Sequence, residues 1–319
     1  MPTFMGSLSL NPTQQAPQDS AVPLADVSNN SKPAEGTAAT LTPDAVGPMH
    51  GKKLDTGLSI VLSNVAARFM QPNILDIKLG ARLYDDYTKP EKRARLDKVA
   101  SETTSSSLGF RIAGMRVWQG STFAAGDALA GKIEGKEPES TFSGEKYTQL
   151  QKDGYRSYNK LYGRQFNEQN VVEAFKEFLL VPSANVTVEK AKMLATLMTK
   201  HAQKIQEILE SVESRMYSAS ILFVYEGDGD AIDAALKEKP ELAHSIDQEQ
   251  DDDLDDEEYD EDEEKDMKAK PKIVAAKLID FAHASWTPGL GPDENALQGV
   301  RSTVKVLEQL VKQLTDMKT

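Results

Sequence analysis

The sequence predicts a mixed α+β fold, on three observations. Short apolar runs of strand length, such as Leu58–Leu62 and Ile221–Tyr225, stand beside long stretches with apolar residues at helical spacing. Their order lacks the regular strand–helix alternation of a doubly wound parallel sheet. No internal repeat is present that would point to a solenoid or propeller. With 319 residues, 39% of them hydrophobic, the chain is long enough to bury a sizeable core while carrying some unfolded sequence.

Met1–Leu10 reads as a short strand fragment. Residues 11–56 are rich in Pro, Ser, Thr, Asn, Ala and Gly without periodicity, and are expected to be a disordered insert. Leu58–Leu62 follows as a buried strand, and Pro72–Gly80 as a strand that ends at a glycine. Thr88-Lys-Pro-Glu91 has the form of a capping box with proline in the first turn, which predicts a helix to about Ser101. Ser107–Gln119 reads as a strand. Asn167 is placed to cap a helix whose apolar face is Val171, Ala174, Phe175 and Phe178. Thr187 to Met216 predicts one long helix with Val188, Ala191, Leu194, Met198, Ala202, Ile205, Leu209 and Val212 on one stripe. After the strand Ile221–Tyr225 and a turn at Gly227–Gly229, an acidic insert of about residues 230–270 is expected to be disordered. Lys272–Phe281 resumes a strand. Asp293–Lys318 closes the chain as an amphipathic helix through Leu297, Val300, Val304, Leu307, Val311 and Leu314.

Composition removes several chemistries. The absence of cysteine excludes disulfides, thiol catalysis and thiolate metal sites. Four histidines, His50, His201, His244 and His283, argue against a zinc cluster. No run approaches the ~18 apolar residues of a membrane span, and the start lacks the pattern of a signal peptide, so an intracellular, soluble protein is expected. The net charge of −13 is local: Asp247–Glu264 carries fourteen acidic residues and no basic one, and without them the remainder stands at +1. The rest of the chain therefore raises no objection to a polyanionic ligand.

Two strand ends carry candidate chemistry. Asp76 and Lys78 are two apart and leave the same face of their strand. The other is Ile279-Asp280-Phe281-Ala282-His283, an Asp at a strand end followed by an apolar and a small residue, as in several magnesium-holding kinases. Phosphoryl transfer needs a metal-binding carboxylate, cations for the anionic substrate, and a group that positions the attacking hydroxyl. Asp280, Lys78 and His283 suit those roles. Each also has a plainer reading: a turn-forming Asp, a structural His, a surface Lys. Lys89, Lys92, Arg93, Arg95 and Lys98 likewise form an ordinary solvated helix face. Neither GxxxxGK[ST] nor GxGxxG is present.

The segments are more specific together. Pro72-Asn-Ile-Leu-Asp-Ile-Lys-Leu-Gly80 resembles the PxxxDxKxG signature of the inositol polyphosphate kinase family. The resemblance continues through Glu91–Arg95, Ser101–Thr104, Ser107–Arg116, Tyr162-Gly-Arg164, Ala219–Gly227, Leu278–His283 and Gly291–Glu294. It covers nearly all of residues 58–319 outside the acidic insert, and is most similar to the fungal multikinases of that family. It implies a two-lobed kinase fold with an incomplete N-lobe: residues 1–66 would be the ATP-binding remnant and 67–319 the catalytic and substrate-binding lobe. It further implies ATP and Mg2+. Backbone groups of Ser63 and Val65 would hold adenine, Asp76 the ribose, and Asp280 the metal. Lys78 and His283 would contact the substrate near the reacting hydroxyl, with Lys92, Arg95 and Lys160 on its phosphates.

The implied substrates are inositol trisphosphate and tetrakisphosphate, with a phosphoinositide headgroup as a further acceptor, and neither direct nucleic-acid binding nor a membrane span. An inositol hexakisphosphate kinase is the alternative within the family. Outside it stands an interaction or transcription-regulatory protein that recruits basic partners through the acidic run. The family implies cytoplasm and nucleus, with Lys268-Ala-Lys-Pro-Lys272 a weak import signal. Two departures are mild: Ala219 replaces the first serine of a Ser-Ser-Leu-Leu pattern, and Ser63 a common hinge glutamate. A third is large. The first strands, the phosphate-gripping lysine and its helix would precede Met1, so a chain shortened by a misplaced start, and weak in binding ATP, is expected.

Overall fold

The computed structural model describes residues 1–9, 58–124, 146–238 and 272–317. The expected insert at 11–56 and the acidic run Asp247–Glu264 lie outside them. In chain order the strands and helices begin with β1 (Phe4–Ser9), β2 (Leu58–Leu62), β3 (Pro72–Leu79), α1 (Pro90–Ser101), α2 (Ser105–Leu108) and β4 (Phe110–Trp118). They continue through α3 (Ser121–Ala124), β5 (Thr148–Leu150), β6 (Tyr155–Tyr158), α4 (Lys160–Gly163), α5 (Val171–Leu179) and α6 (Val188–Ser211). The last are β7 (Ser214–Met216), β8 (Ser220–Glu226), α7 (Gly229–Glu238), β9 (Val274–Ile279), β10 (Ala284–Trp286) and α8 (Glu294–Asp316).

The chain divides into two units, Thr3–Ser63 and the remainder. In the smaller, β1 pairs antiparallel with β2, Phe4 opposite Leu62 and Ser9 opposite Leu58. Ser63 extends the pairing: its N–H donates to Thr3 O at 2.8 Å, and its Oγ accepts from Thr3 N at 2.8 Å.

The larger unit is built on a six-stranded sheet in the order β5-β6-β4-β3-β8-β9, with every neighbouring pair antiparallel. Burial alternates along β3 with the period of a pleated strand. Asn73, Leu75, Ile77 and Leu79 are buried on one face, while Ile74, Asp76 and Lys78 occupy the other. Helices α5, α6 and α8 cover the first face. Phe175 and Phe178 from α5, Leu194 and Met198 from α6, and Leu297, Val300 and Leu307 from α8 join the strand residues in one core. Gly299 lets α8 approach the start of β4: a Cβ there would lie 2.2 Å from Gly109 O.

Local chemistry moves several element boundaries. Helix α1 starts at Pro90 with Lys89 at its N-cap, not with the predicted capping box, because the Thr88 hydroxyl donates to Asp85 Oδ1 at 2.7 Å. The strand expected from Ser107 begins at Phe110; Ser105–Leu108 coils into α2, closed by Gly109 in the left-handed conformation at φ 69°. Helix α6 stops at Ser211 instead of Met216, since Ser214–Met216 pairs with Trp286–Ala284 as β7 and β10. Helix α5 is entered at Asn170, with Asn167 Oδ1 accepting from Gln169 N at 2.9 Å one turn earlier. The first part of the insert expected from about residue 230 is instead helical, Gly229–Glu238 burying Ile232 and Ala235; residues 239–271 lie outside the described residues.

Candidate functional site

The register of three strands assembles the site. Lys78 lies opposite Ser220, and Ser220 opposite Ile279, so Asp280 follows at the same end of the sheet. The Lys78 ammonium donates to Ser220 Oγ at 3.0 Å, to Ser218 O at 3.4 Å and to Asp280 Oδ2 at 2.6 Å. Asp280 and Ser218 both sit at positive φ, 68° and 60°. Those two turns bend the chain sharply beside the lysine. The Lys78 side chain is 23% exposed and that of Asp280 51%, so a ligand can reach the pair.

Asp76 lies one step deeper on the same face. Its Oδ1 is buried with no hydrogen-bond partner among the described residues, which is costly unless a ligand completes it. Arg111 on β4 stands opposite Lys78. Burial lowers the Arg111 pKa, Asp76 opposes that shift, and the nearby Arg164 adds to it. Guanidinium groups of this kind suit an anionic ligand.

Arg164 owes its position to the other two residues of Tyr162-Gly163-Arg164. The Tyr162 hydroxyl donates to Glu177 Oε2 at 2.5 Å, and the Tyr158 hydroxyl to Oε1 at 2.9 Å. Burial, with the Glu177 carboxylate second, pushes both phenols well up, so both remain protonated donors. Gly163 presses α4 onto β4, where a Cβ would lie 2.1 Å from Ile112 O.

His283 ends the 3-10 turn Phe281–His283 after Asp280, and its Nδ1 lies 3.0 Å from Asp85 Oδ2. Asp85 Oδ1 accepts from Thr88 Oγ1 at 2.7 Å and from Tyr87 N at 3.1 Å. Partial burial works against the Asp85 charge, but the hydrogen bonds from Thr88 and His283 outweigh it and hold the carboxyl below its ordinary range. Arg82, stacked 5.2 Å from the rings of both Tyr84 and Tyr217, is paired with Asp86.

The structure thus brings Asp76, Lys78 and Asp280 to one end of the sheet and ties His283 to Asp85. Lys92 and Arg95 are exposed on α1, and Lys160 is exposed at the start of α4; none has a partner among the described residues. Ser63 belongs to the hairpin unit, where its N–H is already engaged by Thr3. Val65, in the larger unit, packs with Ala66, Phe69, Ile74, Leu222, Val224 and Ala275. The sequence motifs include Arg111 and Arg164 but assign no role to them, and they do not reach Asp85. Alternation along β4 would have placed Arg111 on the Lys78 face once the register was known; nothing in the sequence marks Asp85 as the partner of a residue 198 positions away.

Among the described residues no cluster of three or more His, Cys, Asp or Glu side chains could cage a metal. Asp280 instead offers a single carboxylate, enough for a divalent cation whose remaining ligands are phosphate oxygens and water. The residues fit that kind of metal.

Several known proteins resemble this chain in sequence and fold. The inositol polyphosphate kinase family profile matches residues 59–308. The inositol polyphosphate multikinase of Saccharomyces cerevisiae is 35% identical over 77% of this chain and 67% of its own length. That of Schizosaccharomyces pombe is 26% identical over 81% and 70%. Rat inositol hexakisphosphate kinase 1 is 26% identical over 79% of this chain, which spans about half of that protein, 51%. The crystal structure of the S. cerevisiae inositol phosphate multikinase in complex with ADP and Mn2+ superposes with a TM-score of 0.58 at 32% identity, covering 79% of this chain and 83% of that one. The antiparallel sheet, the Asp76–Lys78 and Asp280 strand ends and a profile match over most of the length agree: the chain belongs to the inositol polyphosphate kinase family.

Proposed function

We propose that this chain is a multikinase that transfers the γ-phosphate of ATP, with Mg2+, to hydroxyls of inositol trisphosphate and tetrakisphosphate. The observation that carries the proposal is the Lys78–Asp280 contact at 2.6 Å, with the orphaned Asp76 Oδ1 behind it and Arg111 and Arg164 alongside. Asp280 would bind the metal. Bound Mg2+ would neutralise charge on the transferring phosphoryl group. Lys78, freed from Asp280 by the metal, would reach a phosphoryl oxygen, and Asp76 would accept from a ribose or inositol hydroxyl. Arg111, Arg164, Lys92, Arg95 and Lys160 would supply the cationic donors that a ligand with several phosphates needs. Identity of 35% to the S. cerevisiae multikinase supports the smaller substrates.

The test is label transfer from γ-labelled ATP with Mg2+ and inositol trisphosphate. The chain is expected to yield labelled tetrakisphosphate, and Asp280→Asn to lower the rate about 100-fold or more. No labelled product from the wild-type chain, or transfer only when hexakisphosphate replaces the trisphosphate as acceptor, overturns the proposal.

A further inference from the structure

Asp85 lies outside the Asp76–Lys78–Asp280 group, yet both of its carboxylate oxygens are engaged. Oδ1 receives the Tyr87 N–H and the Thr88 hydroxyl, and Oδ2 faces His283 Nδ1 at 3.0 Å. An ionised carboxylate only accepts, so this contact requires the proton on Nδ1. In the neutral ring Nε2 is then left as an acceptor. The His283 side chain is 33% exposed, which leaves the ring open to a ligand.

We propose that Asp85 is a positioning residue that makes His283 read a free hydroxyl of the inositol ring and not a phosphate. The inference rests on the kinase reading above. The cationic groups offered to the substrate, Lys78, Arg111 and Arg164, are donors only and suit phosphate oxygens, while Asp76, an acceptor, lies deeper on the sheet. An acceptor beside these cations changes what the site can distinguish: a hydroxyl gives it a proton to bind, whereas an ionised phosphate presents another set of lone pairs. Asp85 need not touch the substrate to do this. It acts through the tautomer of His283, and through Thr88 it holds the entry to α1, the helix that carries Lys92 and Arg95.

Asp85→Asn tests this with nearly unchanged shape. The amide oxygen stays with the two donors at Tyr87 and Thr88, so the NH2 group faces His283 Nδ1. Nδ1 must then accept, and the proton moves to Nε2, which becomes a donor. Imidazole 15N spectra at mildly alkaline pH, with the His283 signal identified by its loss in His283→Gln, should show Nδ1–H in the wild type and Nε2–H in Asp85→Asn.

In turnover, kcat with inositol trisphosphate should fall about 100-fold while KM for ATP is unchanged. Selectivity for trisphosphate over more highly phosphorylated inositols should narrow about tenfold. Asp85→Glu, which restores an anionic acceptor, should recover the wild-type tautomer. An Nε2–H tautomer in the wild type overturns the proposal with no variant needed. Inverted tautomers with unchanged kcat and selectivity overturn it as well. Absence of wild-type turnover is a separate failure, that of the kinase reading; calorimetric affinities for the same inositols then decide whether His283 still discriminates.

Discussion

Asp280 answers to two demands, one on its carboxylate and one on its backbone. Its ion pair with Lys78 is half exposed, and such pairs contribute only about 0–1 kcal/mol to stability. Its φ of 68° is a left-handed conformation that Asn and Asp tolerate and Ala does not, at a cost of roughly 1–2 kcal/mol. In urea unfolding, Asp280→Asn should stay within ~1 kcal/mol of the wild type, and Asp280→Ala should lose roughly 1–2 kcal/mol more. Equal stability of the two variants would show that the left-handed turn carries no strain. Asp85 gives a pH signature instead. Its folded carboxyl titrates below the unfolded one, so its stabilisation is complete above about pH 4 and fades as pH falls through the lower folded value. The Tm difference between wild type and Asp85→Asn should therefore be largest near neutrality and close in acid. A gap that persists undiminished in strong acid would remove the hydrogen-bonded carboxylate as its cause.

Short elements carry more of the site than long ones. The turn Lys160–Gly163 is fixed by the Tyr162 hydroxyl on Glu177 and by the Gly163 contact with the Ile112 carbonyl, a backbone atom that cannot swing aside. Gly163→Ala should cost roughly 1–3 kcal/mol in urea unfolding and weaken inositol trisphosphate binding by moving Arg164. Unchanged stability would mean that α4 can lift off β4 freely. These short pieces were also the least legible. Stripes such as Leu194–Met198–Ala202 and Leu297–Val300–Val304 announced α6 and α8, because burial repeats over many turns. Four-residue α2 has no room for a period. The capping box failed at Thr88 because a carboxylate three residues upstream captured its hydroxyl, and α6 ended early because Ser214–Met216 found a partner in β10. The Asp76–Lys78 and Asp280 strand ends could be read from spacing. Arg111 and Asp85 could not, since their roles depend on register and on contacts across most of the chain.

Charge is distributed as unevenly as structure. The acidic run Asp247–Glu264 shifts the chain from +1 to −13, a net charge that would repel the proposed polyanionic substrate at low ionic strength. Replacing that run with a neutral linker of equal length should lower KM for inositol trisphosphate in dilute buffer. The difference should vanish near 1 M salt, where the screening length is about 3 Å. An identical KM at low salt would show that the run does not act on the substrate. The sheet order has a consequence of another kind. Strand β3 is the inner strand between β4 and β8, and Ile74 finds Arg116 soon but waits 150 residues for Val224. At about 5–20 residues per second, that is roughly 7–30 seconds of synthesis. Throughout it, a strand rich in Ile and Leu keeps one hydrogen-bonding edge unpaired, the template on which chains join to one another. How much protein a cell recovers therefore depends on what shields that edge while the ribosome is still at work.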